Sequence, residues 1–225
     1  MSDARNPFLS ADSASTYVRD TPRKVPGLSD LHRMTTLLLD ERAPAAADVL
    51  VVGAGGGLEM KALAEARPNW RLLGVDPSPA MLDMARQMTS AYAERTDFVL
   101  GTACDAPAGP FDGAVCLLTL HFLERQERVQ TLQAIRERLK PGAVFVAAHH
   151  VAVDGQAERW LTGSAAFAGD TNPDYQQAKT SAHMMAERLP LLSVSQEEAC
   201  FRQAGFSEPA LFYAAFSFRG WVMTA

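Results

Sequence analysis

Cysteine is scarce in this chain. The 225 residues hold 3, at Cys104, Cys116 and Cys200, odd in number and far apart. No C-x-x-C pair occurs, so neither a disulfide framework nor a zinc site is expected. Two of them fall in apolar strand-like runs and read as small core residues. Long apolar runs are missing as well, and none approaches the roughly 20 residues of a membrane span. The opening stretch "MSDARNPFLSADSAS" lacks the apolar centre of a secretory signal. Surplus positive charge is also absent. Lys and Arg number 21 against 26 Asp and Glu, a net charge of −5. A broad nucleic-acid footprint needs clustered Lys and Arg, so nucleic acid is not an expected partner. These absences leave a soluble cytoplasmic protein that meets small molecules, with no membrane partner; a homodimer is compatible with them.

What is present is enough for a core. Hydrophobic residues make up 48% of the chain, and the length suits one domain. Short apolar runs alternate with helical patterns. "DVLVV" (48–52), "WRLLGVD" (70–76), "DFVLG" (97–101), "FDGAVCLLTL" (111–120) and "AVFVAAHH" (143–150) read as strands. Between them lie helical patterns at 58–66, at 78–94 (with Ser78 as N-cap and Pro79 in the first turn) and at 124–139. Strands apolar on both faces in a β-α-β rhythm imply a parallel sheet between helices. After residue 193 the pattern changes. Ser195 stands three before Glu198, a capping-box spacing that predicts a helix ended by Gly205. "PALFYAAFSFRGWVMTA" then predicts a terminal hairpin at the sheet edge. Residues 1–45 read as an N-terminal helical cap, 46–150 as the binding core, 151–194 as a lid insertion and 195–225 as a final helix and strand hairpin. Long connections of this kind are usually lids, and ligands of open parallel sheets bind over the strands' carboxyl ends. The lid carries Trp160, Phe167, Tyr175, Met184 and Met185. They either suit a small apolar acceptor or pack the lid onto the sheet.

The most informative stretch is "VLVVGAGGGLEM" (49–60). Gly53, Gly55 and Gly57 follow a strand and precede a helix, the context in which a glycine turn binds a nucleotide. The dinucleotide pattern G-x-G-x-x-G would put its third glycine at position 58, which is Leu58. The observed G-x-G-x-G suits a ligand without pyrophosphate. One strand later, Asp76 ends "GVD" where a carboxylate takes both ribose hydroxyls; the alternative is a turn or cap before Pro-Ser. Met81 lies either against the base or in the core.

"VLVVGAGGG", "GVDPSPAMLDMAR", "FVLGTACDAP", "FDGAVCLLTLHFL" and "RLKPGAVFVAAHH" resemble, in order and spacing, the class I S-adenosylmethionine (SAM)-dependent methyltransferases. The resemblance implies a Rossmann-like α/β fold, a seven-stranded, mostly parallel sheet with an antiparallel last strand and helices on both faces. It implies SAM as methyl donor and S-adenosylhomocysteine (SAH) as product. It carries cofactor contacts onto Arg23, Gly53, Ala54, Gly55, Gly57, Asp76, Pro77, Met81, Thr102, Ala103 and Leu117. "YVRDTPRKVPGLSD" and "TLHFLE" are similar to the carboxy-SAM synthase branch, which serves tRNA wobble-uridine chemistry. In that branch Arg23 would meet the methionyl carboxylate. The chain departs from the branch at Leu28, where an aromatic residue is usual, and at Thr180, where the arginine that anchors the extra carboxylate aligns. It departs from the wider family at Val51 and Thr102, where many members keep carboxylates.

Methyl transfer is an in-line displacement that chiefly needs alignment, and a base helps where the acceptor must lose a proton. His121, His149 and His150 end strands at the ligand edge and are the candidate bases, or else structural histidines. Of the adjacent pair at most one faces a given side. His183 sits in the lid. No metal-ligand spacing occurs. The expected function is methyl transfer from SAM to the O, N or C of a small molecule. The alternatives are a carboxy-SAM synthase-like enzyme and a non-catalytic SAM-binding or scaffold protein.

Overall fold

The computed structural model describes residues 11–169 and 172–225, with side chains from residue 16 on. Seven strands form one sheet: β1 (Asp48–Val52), β2 (Arg71–Asp76), β3 (Thr96–Leu100), β4 (Phe111–Leu117), β5 (Leu139–His150), β6 (Ala210–Ala215) and β7 (Phe218–Thr224). Their spatial order is β3-β2-β1-β4-β5-β7-β6. β1 to β5 pair in parallel, and β7 runs antiparallel to both β5 and β6. This is the expected sheet, with the hairpin at its edge.

Alternation along the strands splits the core in two. Leu50, Val52, Cys116, Phe145 and Ala147 point to one face, with Val129, Leu132, Ile135 and Phe201. Val49, Val51, Val115, Leu117, Val146 and Ala148 point to the other. The first face is covered by α5 (Arg125–Glu137) and α8 (Val194–Gln203). On the second lie α2 (Leu28–Asp40), α3 (Leu58–Ala66) and α4 (Pro79–Met88). Both faces of the central strands are buried, which is why those strands read as continuous apolar runs.

The N-terminal cap is α1 (Ala11–Lys24) turning into α2 at Gly27, whose φ is 63°. Tyr213 of the hairpin donates to the Pro26 carbonyl at 2.6 Å and pins that corner. Residues 151–194 form two helices, α6 (Ala157–Phe167) and α7 (Tyr175–Arg188), packed on each other at the carboxyl edge of the sheet. Ser164 of α6 bonds the Ser217 hydroxyl at 2.7 Å, beside the end of β5. Phe167 tilts against Phe216, whereas Tyr175, Met184 and His183 face outward. No helix of the described residues is long and apolar enough to cross a membrane.

Several boundaries differ from expectation, β5 beginning at Leu139 rather than 143 among them, and three have a visible local cause. The helix expected over 78–94 starts as predicted, with Ser78 Oγ accepting from Met81 N at 3.3 Å and Pro79 in the first turn. It stops at Met88, because Thr89 turns its hydroxyl onto the Ala85 carbonyl at 2.8 Å; Ser90–Arg95 then tightens to 3-10 turns. The fourth strand ends at Leu117 rather than 120, since Leu118 enters the left-handed region at φ 56°. The last helix is capped by Ser193 with Gln196, not by Ser195 with Glu198. Both pairs have the same spacing, and the Ser195 hydroxyl is drawn to Ser193 at 2.9 Å.

Candidate active site

β1 and β2 finish side by side, Val52 against Val75. Gly53 and Ala54 both donate to the Val75 carbonyl, at 2.8 and 3.0 Å, so the turn is fastened to the neighbouring strand. Gly53 has φ 75°, and a Cβ there would stand 2.0 Å from the Thr119 hydroxyl. Only glycine lets the β4 extension close on the turn. Gly57 has φ 83°, and a Cβ would meet the Ala85 backbone at 2.8 Å. The third glycine thus seats α3 against α4.

Asp76 is the electrostatic centre. Its Oδ2 accepts from Gly55 N and its Oδ1 from Ser78 N, both at 2.9 Å. Burial pushes this carboxyl above its ordinary value, and the two backbone bonds pull it back only in part. A carboxylate has about four acceptor positions, so two lone pairs stay available to a ligand.

Around Asp76 opens a cleft of about 710 Å³, counting the open space at its mouth. Gly53, Gly55, Asp76, Pro77, Met81, Thr102 and Ala103 all line it. Ala54 and Leu117 are buried behind that surface, and Gly57 packs on α4. Arg23 is exposed on α1 and does not line the cleft. Tyr17, Val52, Val75, Gly101, Leu118, Thr119, Phe122, Leu123 and Thr131 complete the lining. None of these was marked by sequence alone. Tyr17 comes from α1, and its ring packs over Gly55 with the hydroxyl 3.3 Å from where a Cβ would be. Burial, with Glu59 nearby, pushes the Tyr17 phenol well up. Thr102 is tied to Asp105, whose Oδ2 accepts from Thr102 N at 2.7 Å and from its hydroxyl at 2.9 Å. Asp105 therefore closes the turn after β3.

The histidines stand outside this lining. His149 and His150 diverge onto opposite faces of β5. His149 is fully buried, with Nε2 at 3.1 Å from Glu197 Oε1, an ion-pair distance without hydrogen-bond alignment. Arg128 binds the same Oε1 and also donates to the Leu123 and Pro190 carbonyls at 2.9 and 3.1 Å. Burial pushes the Glu197 carboxyl up, but His149 and Arg128 outweigh it and hold it below the usual range. His150 stacks on Phe218 at 3.8 Å and bonds Ser217 through Nδ1 at 2.7 Å. Burial and His149 push it down to about 3. His121 is buried edge-on to His150 at 5.2 Å and is likewise held neutral, chiefly by burial. No group of three His, Cys, Asp or Glu among the described residues could hold a metal ion.

Residues 49–142 match the family described as Methyltransferase domain. The chain is 30% identical over 136 residues to the carboxy-S-adenosyl-L-methionine synthase of Campylobacter lari, covering 60% of this chain and 58% of that protein. It thus spans little more than half the length of that relative. Among solved structures it is similar to an O-methyltransferase family protein from Burkholderia thailandensis (TM-score 0.69, 16% identity, 95% of this chain and 59% of that one). It is also similar to PigF solved with SAH (TM-score 0.65, 18% identity, 97% and 60%). The residues present fit SAM, the cofactor of this family. A bare glycine turn permits close approach, a buried carboxylate keeps two lone pairs open to a ligand, and Met81 with Ala103 gives the wall an apolar stretch. Residues 49–142 thus match a methyltransferase domain, and the chain is similar to the carboxy-S-adenosyl-L-methionine synthases.

Proposed function

We propose that this protein transfers the methyl group of SAM to a small-molecule acceptor. The observation that carries the reading is the cleft at the ends of β1, β2 and β4, in which Asp76 is fixed by Gly55 and Ser78 and is the only charged side chain of the described lining. SAM supplies a methyl on a sulfonium, which needs no covalent help from the protein. Asp76 would orient the ribose, and Met81, Thr102 and Ala103 would flank the adenine. Leu118, Phe122 and Leu123 add apolar lining that would keep water from the reacting end. The lining offers the hydroxyls of Tyr17, Thr119 and Thr131 and no imidazole. Alignment rather than histidine base catalysis is therefore the larger contribution, and it suits an acceptor that is nucleophilic without a strong base. α6 and α7, set at the carboxyl edge, would act as the lid over that acceptor.

The curated relatives favour a second reading, carboxy-SAM synthesis. It would need a cation for the extra carboxylate. Thr180 is exposed on α7, its hydroxyl bonded to the Gln176 carbonyl of its own helix, and no Lys or Arg lines the described cleft. Incubation with SAM labelled on the methyl group separates the two. Label passing to added phenol, amine or thiol acceptors supports methyl transfer. Conversion of SAM to a carboxylated product in the presence of prephenate would replace it.

A further inference from the structure

Beside the glycine turn sits a carboxyl group that the proposed reaction does not employ. Glu59 is the second residue of α3 and only 9% exposed. Its Oε1 is buried with no hydrogen-bond partner. Its charge acts on Tyr17 of α1 and Cys116 of β4, and the charge of Asp76 of β2 acts on it. Tyr17 and Asp76 line the cleft. Cys116 precedes the Leu118–Thr119 wall, where Thr119 closes on Gly53. Glu59 is not itself on the described lining; it stands two residues beyond Gly57, behind the turn and close to Tyr17 and Asp76, which are on it. A buried carboxyl with an open oxygen costs free energy that the protein alone does not recover. The start of α3 favours an anion, but it leaves that oxygen unfilled.

Charge balance in the cleft supplies the partner. The amino-acid end of SAM carries an α-ammonium, which must exchange its water for acceptors when it is buried. Both oxygens of Asp76 already serve the backbone at the ribose end. All other described lining side chains are uncharged. Val51, two residues before the first glycine of the turn, is fully buried and apolar. We infer that Glu59 is the acidic partner of the cofactor's α-ammonium, presented from the first turn of α3 instead of from β1. The inference rests on SAM occupying the cleft.

The test is the affinity of wild type and Glu59→Gln for three probes: SAM, SAH and 5′-methylthioadenosine, which lacks the amino-acid part. Glu59→Gln should weaken SAM and SAH at least about tenfold and leave methylthioadenosine within about twofold, the loss of one charge-assisted contact. An equal loss on all three probes, or none on any, overturns the assignment. Wild type that binds methylthioadenosine and SAH while Glu59→Gln changes neither refutes Glu59 alone; wild type that binds none of the three removes the SAM reading as well. Should the variant not fold, wild type answers by itself. SAH with its amine removed should bind at least about tenfold more weakly than SAH, and equal binding overturns the inference.

Discussion

Replacing Asp76 by Asn tests whether this carboxylate holds the turn as well as the ligand. In the folded protein it accepts from Gly55 N and Ser78 N, each at 2.9 Å, with the side chain 8% exposed. A hydrogen bond to a charged group contributes about 1.5–3 kcal/mol. Asn keeps one acceptor oxygen and turns an N–H₂ toward the other backbone N–H, so one bond is lost and two donors face each other. The burial that raises the Asp76 carboxyl offsets part of this. The net destabilisation of the ligand-free protein is then about 2 kcal/mol. Urea unfolding measures it, as a lower midpoint at unchanged m-value. The same variant loses two acceptor positions for the ribose and should weaken SAM roughly 30-fold or more. A ligand-free stability within about 0.5 kcal/mol of wild type, inside the range of surface substitutions, would refute the double role. Asp76→Ala, which strips both backbone bonds at once, confounds turn and ligand; Asn with an independent stability measurement separates them.

Glu59 gives a pH signature. Burial and Asp76 hold its carboxyl well above the ordinary value of 4.5. An acid raised in the folded state binds its proton more tightly there, so the ligand-free protein is favoured below that value and loses stability as pH rises through the raised one. Tyr17, Asp76 and Cys116 face it. Glu59→Gln should flatten the decline in stability from pH 5 to pH 8, and identical slopes would contradict it. Arg128→Met strands the buried Glu197 carboxyl with only the His149 ring beside it among the described residues; unfolding free energy should fall by about 3–5 kcal/mol, and a change below 1 kcal/mol would show the cluster to be unimportant. His150→Gln should leave SAM affinity within about twofold, since a residue off the lining contributes within the range of surface substitutions; a tenfold loss would bring His150 back to the cleft.

Much of the fold was legible because its signals are local. Strands buried on both faces leave apolar runs, and Ser78-Pro79 marks a helix start by its own chemistry. The glycine turn and Asp76 were legible for the same reason: each sits at a strand end whose position periodicity already implies. What remained hidden depends on distant contacts. Tyr17 reaches Gly55 only because α1 folds across the turn, and Thr131 reaches the cleft from α5. Leu118, rather than Leu117, lines the cleft because the chain turns left-handed after β4. The histidine pair was read correctly as diverging, but nothing local revealed that a buried Arg128–Glu197 pair awaits one of them. The two capping boxes of α8 have the same spacing, and pattern alone could not choose between them.

The central claim is that the Asp76 cleft binds SAM, and isothermal titration of the wild-type protein with SAM and SAH tests it most directly. The account predicts saturable one-to-one binding of both, with dissociation constants of about 1–100 μM, lost together in Asp76→Asn. No heat and no thermal stabilisation with either ligand at about 1 mM, a level that would still reveal very weak binding, would contradict it.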